Sequence, residues 1–594
     1  MKKLFLYIAF LFSVAAFAQN EQLAQNYFEK GEFEKAVIIY QDLDKAQPRN
    51  PFFAQKLAEC YQQLKQYDKA EKLLKDKLEL VKMPLLLVDL GYNYQLQKNQ
   101  PKADSYYKEA VDAVTKNPGN VYMIANAFEK KVLINEALAT YQAANAANPN
   151  MNFDYQMALL QGQLGNIEPM IEKLLSFSYQ NQQNLVVVQS QLSRFMNEEN
   201  TSDNFNSLLR KALLLQTQKS QDVFWNEFLS WFFVQQKEYG KAFIQQKAVY
   251  RRNPDLFINI VNLGRLAAEE QEDATAKEIF DFVAQNTTET DLLIDAEYYV
   301  LQIDIKNATD ATLPLISQRI AADLEKFGTT PGSLKLQILK ADFEAFQLKD
   351  SKAALATLDR ALQMPLNKFQ QAQVKMKMSD ILLAGEKFNQ AILYYTQIQE
   401  DLKNDAVGNE ASFRVARASY FKGDFEWAQK QLGVLKSSAS QLIANDAMEL
   451  FLLISDNTVE DSLQVALKRF ARADFKLYQN KKAEALQMFK DLRATDKTES
   501  IQDVTLLRIG RIYESMGQYD LALQSYAEII DKYKEGIYID EALFFSAEIY
   551  SKKLNQPDKA KPLYEKMIFE HEDSIYFIEA RKQYRILRGD AQSS

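Results

Sequence analysis

Apolar side chains recur along this chain at intervals of three and four residues, the spacing that lines one face of an α-helix, and Gly, Pro and Asn interrupt the pattern. Two stretches at opposite ends, GEFEKAVIIYQDLD from Gly31 and GQYDLALQSYAEII from Gly517, share a Gly, an aromatic, an Ala three residues later and a Tyr four beyond that. With that Ala as a marker, Ala36, Ala70, Ala103 and Ala137 stand 34, 33 and 34 residues apart. Small residues precede the markers by twelve positions (Ala24, Ala58, Gly91, Ala125), each followed three later by Tyr27, Tyr61, Tyr94 or Phe128. Four residues after the markers come Tyr40, Leu74, Tyr107 and Tyr141, and Pro48, Pro118 and Pro149 punctuate the ends. Each period predicts two helices and a tight turn. The helices approach closely where side chains are small, and aromatics fill the space opened beside the crossing.

The pattern weakens over 151–221 and returns over about 223–285, with Phe233, Ala242, Pro254, Leu263, Gly264, Ala276 and Phe280. The FGTTPGS stretch from Phe327 is the clearest loop and the expected boundary between arrays. Beyond it the markers Ala353, Ala391, Ala428, Ala485, Ala522 and Ala560 are spaced 38, 37, 57, 37 and 38, so these helices are longer and the widest gap holds an extra helix around MELFLLIS. The expected organisation is a signal segment at 1–18, an array over 19–150, degenerate repeats over 151–335 and a second array over 336–590. SIYFIEARKQYRILRGD closes the second array as a capping helix with a basic outer face.

This pattern resembles the tetratricopeptide repeat, a 34-residue helix-turn-helix unit with small residues at positions 8, 20 and 27. The resemblance implies an all-α, right-handed superhelix in which each hairpin is completed by its neighbour, with a concave groove lined by the first helices. It places Tyr92, Gln95, Asn126 and Glu129 in the groove of the first array, and Arg417, Tyr420, Arg511 and Glu514 in that of the second. Tyr and Arg favour the second as a protein-binding hot spot. The competing reading is that Phe413, Phe421, Phe470 and Phe544 on that wall only pack against extra helices. A clamp for a partner's C-terminal carboxylate is excluded in the first array, where Glu21, Gln25, Gln55, Glu59, Val88 and Tyr92 occupy the positions that would need cations and amides.

Composition supports helices, with only 17 Gly and 13 Pro in 594 residues and 47% hydrophobic residues to drive packing. MKKLFLYIAFLFSVAAFAQN reads as a secretory signal cleaved after Ala18, its apolar run too short for a retained anchor. The expected product is exported, periplasmic or associated with the outer membrane, with no membrane span after signal removal. A net charge of −8 opposes nucleic-acid binding.

Chemistry is sparse. Cys60 is the only cysteine and His571 the only histidine, so neither a histidine-based triad nor a multi-histidine metal site can be assembled. Cys60 is expected to be a small buried helix residue. Glu514 and Ser515 form the Glu-Ser pair of lytic transglycosylases, but they fall inside a well-matched repeat and no GLMQ-like segment follows. The resulting expectation is a non-enzymatic scaffold or adaptor of the bacterial cell envelope that binds a protein partner, with no catalytic residue, cofactor or metal. The alternatives are a cell-wall or glycan-active enzyme using carboxylates within 151–221 or 286–340, and a structural subunit of an outer-membrane complex. Replacing Ala522 with Leu should overfill a helix crossing and cost about 1–3 kcal/mol; an unmoved melting temperature would reject this repeat register.

Overall fold

The computed structural model describes residues 20–197, 202–438, 440–458, 464–496 and 499–588. The expected signal segment lies outside them. Among the described residues the regular elements are helices, and no strand occurs. Contacts divide the chain into two compact units, Met1–Phe224 and Trp225–Ser594. Each is an array of tetratricopeptide-like helical hairpins.

In the first unit Phe33–Ala46 packs on Pro51–Gln63, and Tyr67–Val81, Leu85–Leu96, Gln100–Lys116, Val121–Lys130 and Ile134–Ala147 follow in the same antiparallel manner. The stretch with the weak signature continues the scheme as Asp154–Gln163 against Ile167–Gln180, then Leu185–Met196 against Ser202–Lys219. The markers Ala36, Ala70, Ala103 and Ala137 are all fully buried. Gly91 shows why the crossing demands a small residue: a Cβ added there would stand 2.3 Å from the Tyr107 ring. Gly510 faces Tyr526 at the same 2.3 Å in the second unit, and Gly264 meets Phe280 at 3.0 Å. The three pairs share one sequence spacing, so the contact repeats with the period.

The second unit holds Phe257–Glu269 with Asp273–Asn286, Thr290–Lys306 with Leu313–Phe327, and Leu334–Phe346 with Ser351–Leu362. Its later hairpins open on 17-residue helices, Lys368–Ala384, Ala406–Lys422 and Glu499–Ser515, against 13 residues for Pro51–Gln63. The difference is about one turn, which accounts for the longer spacings. The wide gap contains an additional helix, Gln441–Asp456, which packs against Phe425–Ser438 and makes a third helix of the repeat begun by Ala406–Lys422, ahead of the hairpin Val465–Tyr478/Lys482–Thr495. One marker shifts: Ala354 is fully buried, whereas Ala353 is half-buried, because the preceding turn sets the phase of this helix one residue later.

Around Gly328 (φ +73) the chain leaves one helix and enters the next through a short 3-10 turn, Pro331–Ser333. Apolar packing runs across this loop, for Ile316 and Ile320 before it share a cluster with Leu336, Leu339 and Phe343 after it. At the end of the chain Ala580 is buried, with Tyr584 and Leu587 packed beside it against Phe544 and Tyr564. The closing helix Phe577–Arg588 carries Arg581 and Lys582 on its exposed side, accompanied by Ile578 and Ile586.

Most of the described hairpin turns contain one residue with positive φ, although the turn between Thr290–Lys306 and Leu313–Phe327 contains none. Glycine takes this place at Gly31, Gly165, Gly423 and Gly517, whereas Lys65, Lys98, Glu386 and Asn480 take it elsewhere. Val132 is the least suited, since its branched Cβ crowds the backbone at φ 59 while the side chain is 78% exposed and packs on little. Val132→Gly is therefore expected to stabilise the first unit by about 1 kcal/mol, read as a raised melting temperature; a fall would show that the turn is held by side-chain contacts.

Candidate functional site

The first-unit groove residues divide by role. Tyr107 donates its hydroxyl to Gln95 Oε1 at 2.6 Å, so Gln95 is engaged within its own hairpin. Tyr92 lies under the Lys131 ammonium, 4.7 Å from the ring centre, and Lys131 pairs with Asp89 at 2.9 Å. Asp89 also accepts from Gln55 Nε2 at 2.7 Å. Burial pulls the Lys131 pKa down, but Asp89 outweighs it and the ammonium titrates above its ordinary range. Asn126 is exposed, and half-buried Glu129 has its carboxyl pushed above the usual range by burial. Asp89 and Lys131, which link Tyr92 to Gln55, were not anticipated; a buried Asp one helical turn before Tyr92 is the sequence signal that could have found them.

The second-unit residues separate into two places. Arg511 donates to Glu514 Oε2 at 2.7 Å and stacks on Phe545 at 4.0 Å, while Glu514 also accepts from the Tyr526 hydroxyl at 3.1 Å. Glu514 thus repeats, one array later, the role that Gln95 has with Tyr107. Residues 505–535 match the tetratricopeptide repeat family. The glycine at Gly510, the marker Ala522 and the Glu514–Tyr526 bond all lie inside that repeat.

Arg417 and Tyr420 belong to a separate cleft of about 200 Å³, lined by Phe413, Arg417, Tyr420, Phe421, Asp446, Glu449, Leu450, Leu453, Asp474 and Arg508. Its walls come from Ala406–Lys422, Val465–Tyr478, Glu499–Ser515 and the additional helix Gln441–Asp456. Tyr420 is 1% exposed, which corrects its expected role as an open contact residue. Longer helices and the added helix close over it, and its hydroxyl donates to Asp474 Oδ2 at 3.2 Å. Arg508 holds Asp474 and Glu449, each at 3.3 Å. Burial pushes the Asp474 carboxyl above the usual range, and facing Arg508 offsets part of that shift. Arg417 stacks between Phe413 at 5.7 Å and Tyr478 at 5.4 Å, and its buried Nε meets no hydrogen-bond acceptor among the described residues. The remaining aromatics of the wall pack internally, Phe470 on Phe489 and Phe544 on Tyr576.

Other sites offer less. A larger cleft of about 440 Å³ beside Tyr513 is bridged by the Arg493–Glu528 pair at 2.6 Å. Cys60 is buried, and burial pushes its thiol up to about 12. Among the described residues no group of three or more His, Cys, Asp or Glu is placed to hold a metal, and no helix is long and apolar enough to cross a membrane.

A stretch of 113 residues is 32% identical to BBSome complex member BBS4 of Bos taurus, covering 18% of this chain and 22% of that protein. The Mus musculus protein of that name is 32% identical over 97 residues, 16% of this chain and 19% of the relative. The chain therefore spans about a fifth of the length of these curated relatives. Solved structures resembling it include Naa15/Naa10 bound to HypK-THB, with 12% identity, 97% of this chain, 93% of that chain and a TM-score of 0.28. The APC/C hetero-tetramer Cut9-Hcn1 aligns at 11% identity over 95% of each chain with a TM-score of 0.25.

Within the region named above for carboxylate chemistry, Asp323 is 8% exposed and its carboxyl is pushed up to about 6, first by burial and then by Glu297. Glu297 is itself held by Arg319 Nη2 at 2.6 Å. The folded chain holds this proton more tightly than the unfolded chain, so Asp323 lowers stability as pH rises from about 4 to about 6, and the loss persists above. Asp323→Asn should remove that slope and gain roughly 1–2 kcal/mol more at pH 7 than at pH 4. Equal shifts in thermal midpoint at the two pH values would show that Asp323 ionises normally.

Proposed function

We propose that this chain is a non-enzymatic scaffold of the bacterial cell envelope, exported by its N-terminal segment, that holds a protein partner at the cleft of the second unit. Helical-repeat arrays of this kind are suited to protein–protein interaction, because stacked hairpins present side chains from successive helices on one continuous surface. The observation that carries the reading is the additional helix Gln441–Asp456, which follows Phe425–Ser438 as a third packed helix, interrupts the two-helix rhythm and completes a cleft against Arg417. An aromatic-stacked arginine in a pocket ringed by Leu450, Leu453 and Phe421 has the composition of an interface hot spot. The first-unit groove is the weaker candidate, since Gln95 is tied to Tyr107 and Tyr92 to Lys131.

A photo-crosslinking amino acid at Leu450 should capture the partner in cells, and Arg417→Ala should reduce the capture several-fold with helix content unchanged. Capture only from a probe placed at Asn126 would move the site to the first unit. Mass spectrometry of the same captured chain reads its N-terminus, expected at Gln19; an intact Met1 end would reject export.

A further inference from the structure

We infer that this cleft receives a cationic side chain, a lysine or arginine, from a peptide segment whose neighbouring residues are apolar; the inference rests on the cleft being the protein-binding site. Asp446, Glu449 and Asp474 line it, and Glu410 acts on Asp446 from the adjoining helix. The two cations of the lining are already engaged. Arg508 is held between Asp474 and Glu449, and Arg417 lies against two aromatic rings. Asp446, in contrast, is exposed at the mouth and forms no hydrogen bond or ion pair with the described residues. Leu450, Leu453 and Phe413 supply the apolar wall along which the methylene stem of a long basic side chain would lie. At about 200 Å³ the space equals about six or seven waters at ~30 Å³ each, which suits one long side chain and excludes a whole helix.

Titration supports this geometry. Burial, then Glu449 and Glu410, push the Asp446 carboxyl above its usual range, and Arg417 offsets only part of the shift. On Ile539–Glu548, Glu541 is pushed up to about 9 by burial and by Asp540, with Glu449 adding to it. A positive group entering the cleft relieves this crowding of carboxylates, so binding should strengthen as pH rises through the Asp446 titration and weaken with added salt.

The test is selection of a phage-displayed random peptide library on the full chain, with Asp446→Lys and Leu450→Trp variants as counter-screens. Peptides enriched in Lys or Arg beside Leu, Ile or Phe, lost from both variants, support the inference. For such a peptide Asp446→Asn should weaken binding by about three- to tenfold, and exchanging its basic residue for norleucine should do the same. Peptides that carry no cation, bind Asp446→Lys normally and are blocked only by Leu450→Trp overturn the inference while leaving the cleft a protein-binding site. Enriched peptides indifferent to both variants overturn the inference and the cleft together.

Discussion

The array depends on one steric contact made again in successive hairpins: a residue with little or no side chain on the first helix receives an aromatic ring or a branched aliphatic from the second. At Gly91 and Gly510 the tyrosine ring occupies the volume a Cβ would need, so the two backbones are fixed at a separation that no larger residue permits. The same tyrosines then reach past the crossing to bond a polar residue on the first helix, Gln95 in one array and Glu514 in the other. Two further cases, Tyr395 to Asp380 at 2.5 Å and Tyr564 to Glu548 at 2.6 Å, show that both the polar partner and its place on the first helix vary while a tyrosine hydroxyl still bonds back to that helix. Size and one hydrogen bond together specify the hairpin, which explains why the rest of the repeat tolerates so much sequence change.

That division decides what could be read in advance. Positions governed by volume were legible from spacing alone, as were the extra helix near MELFLLIS and the longer helices of the second array. The phase of the helix carrying Ala354 was not, because it depends on a turn whose left-handed residue, Lys349, has no glycine to announce it. Nor was packing across the Gly328 loop legible: a glycine and a proline mark where a chain bends, whereas the contacts of Ile316 with Leu336 and Phe343 depend on where it goes next.

The candidate sites were legible in part, for a related reason. Repeat position nominated residues for the groove, but it assumed an uninterrupted rhythm of paired helices. Glu514 and Gln95 are taken up by tyrosine hydroxyls within their own hairpins. Tyr420 is buried in a cleft that an additional helix helps to line. Arg417 gains its setting from the same interruption, since Asp446, Leu450 and Leu453 all come from the inserted helix. A departure from the repeat has made a pocket that combines carboxylates, arginines, aromatics and leucines.

The lone thiol has a practical corollary. Cys60 is sealed inside the first unit in its protonated form, and the sequence contains no other sulfhydryl. Any cysteine engineered onto the surface is then the sole reactive handle on the molecule, and spectroscopic labels can be attached one position at a time without first removing a native group.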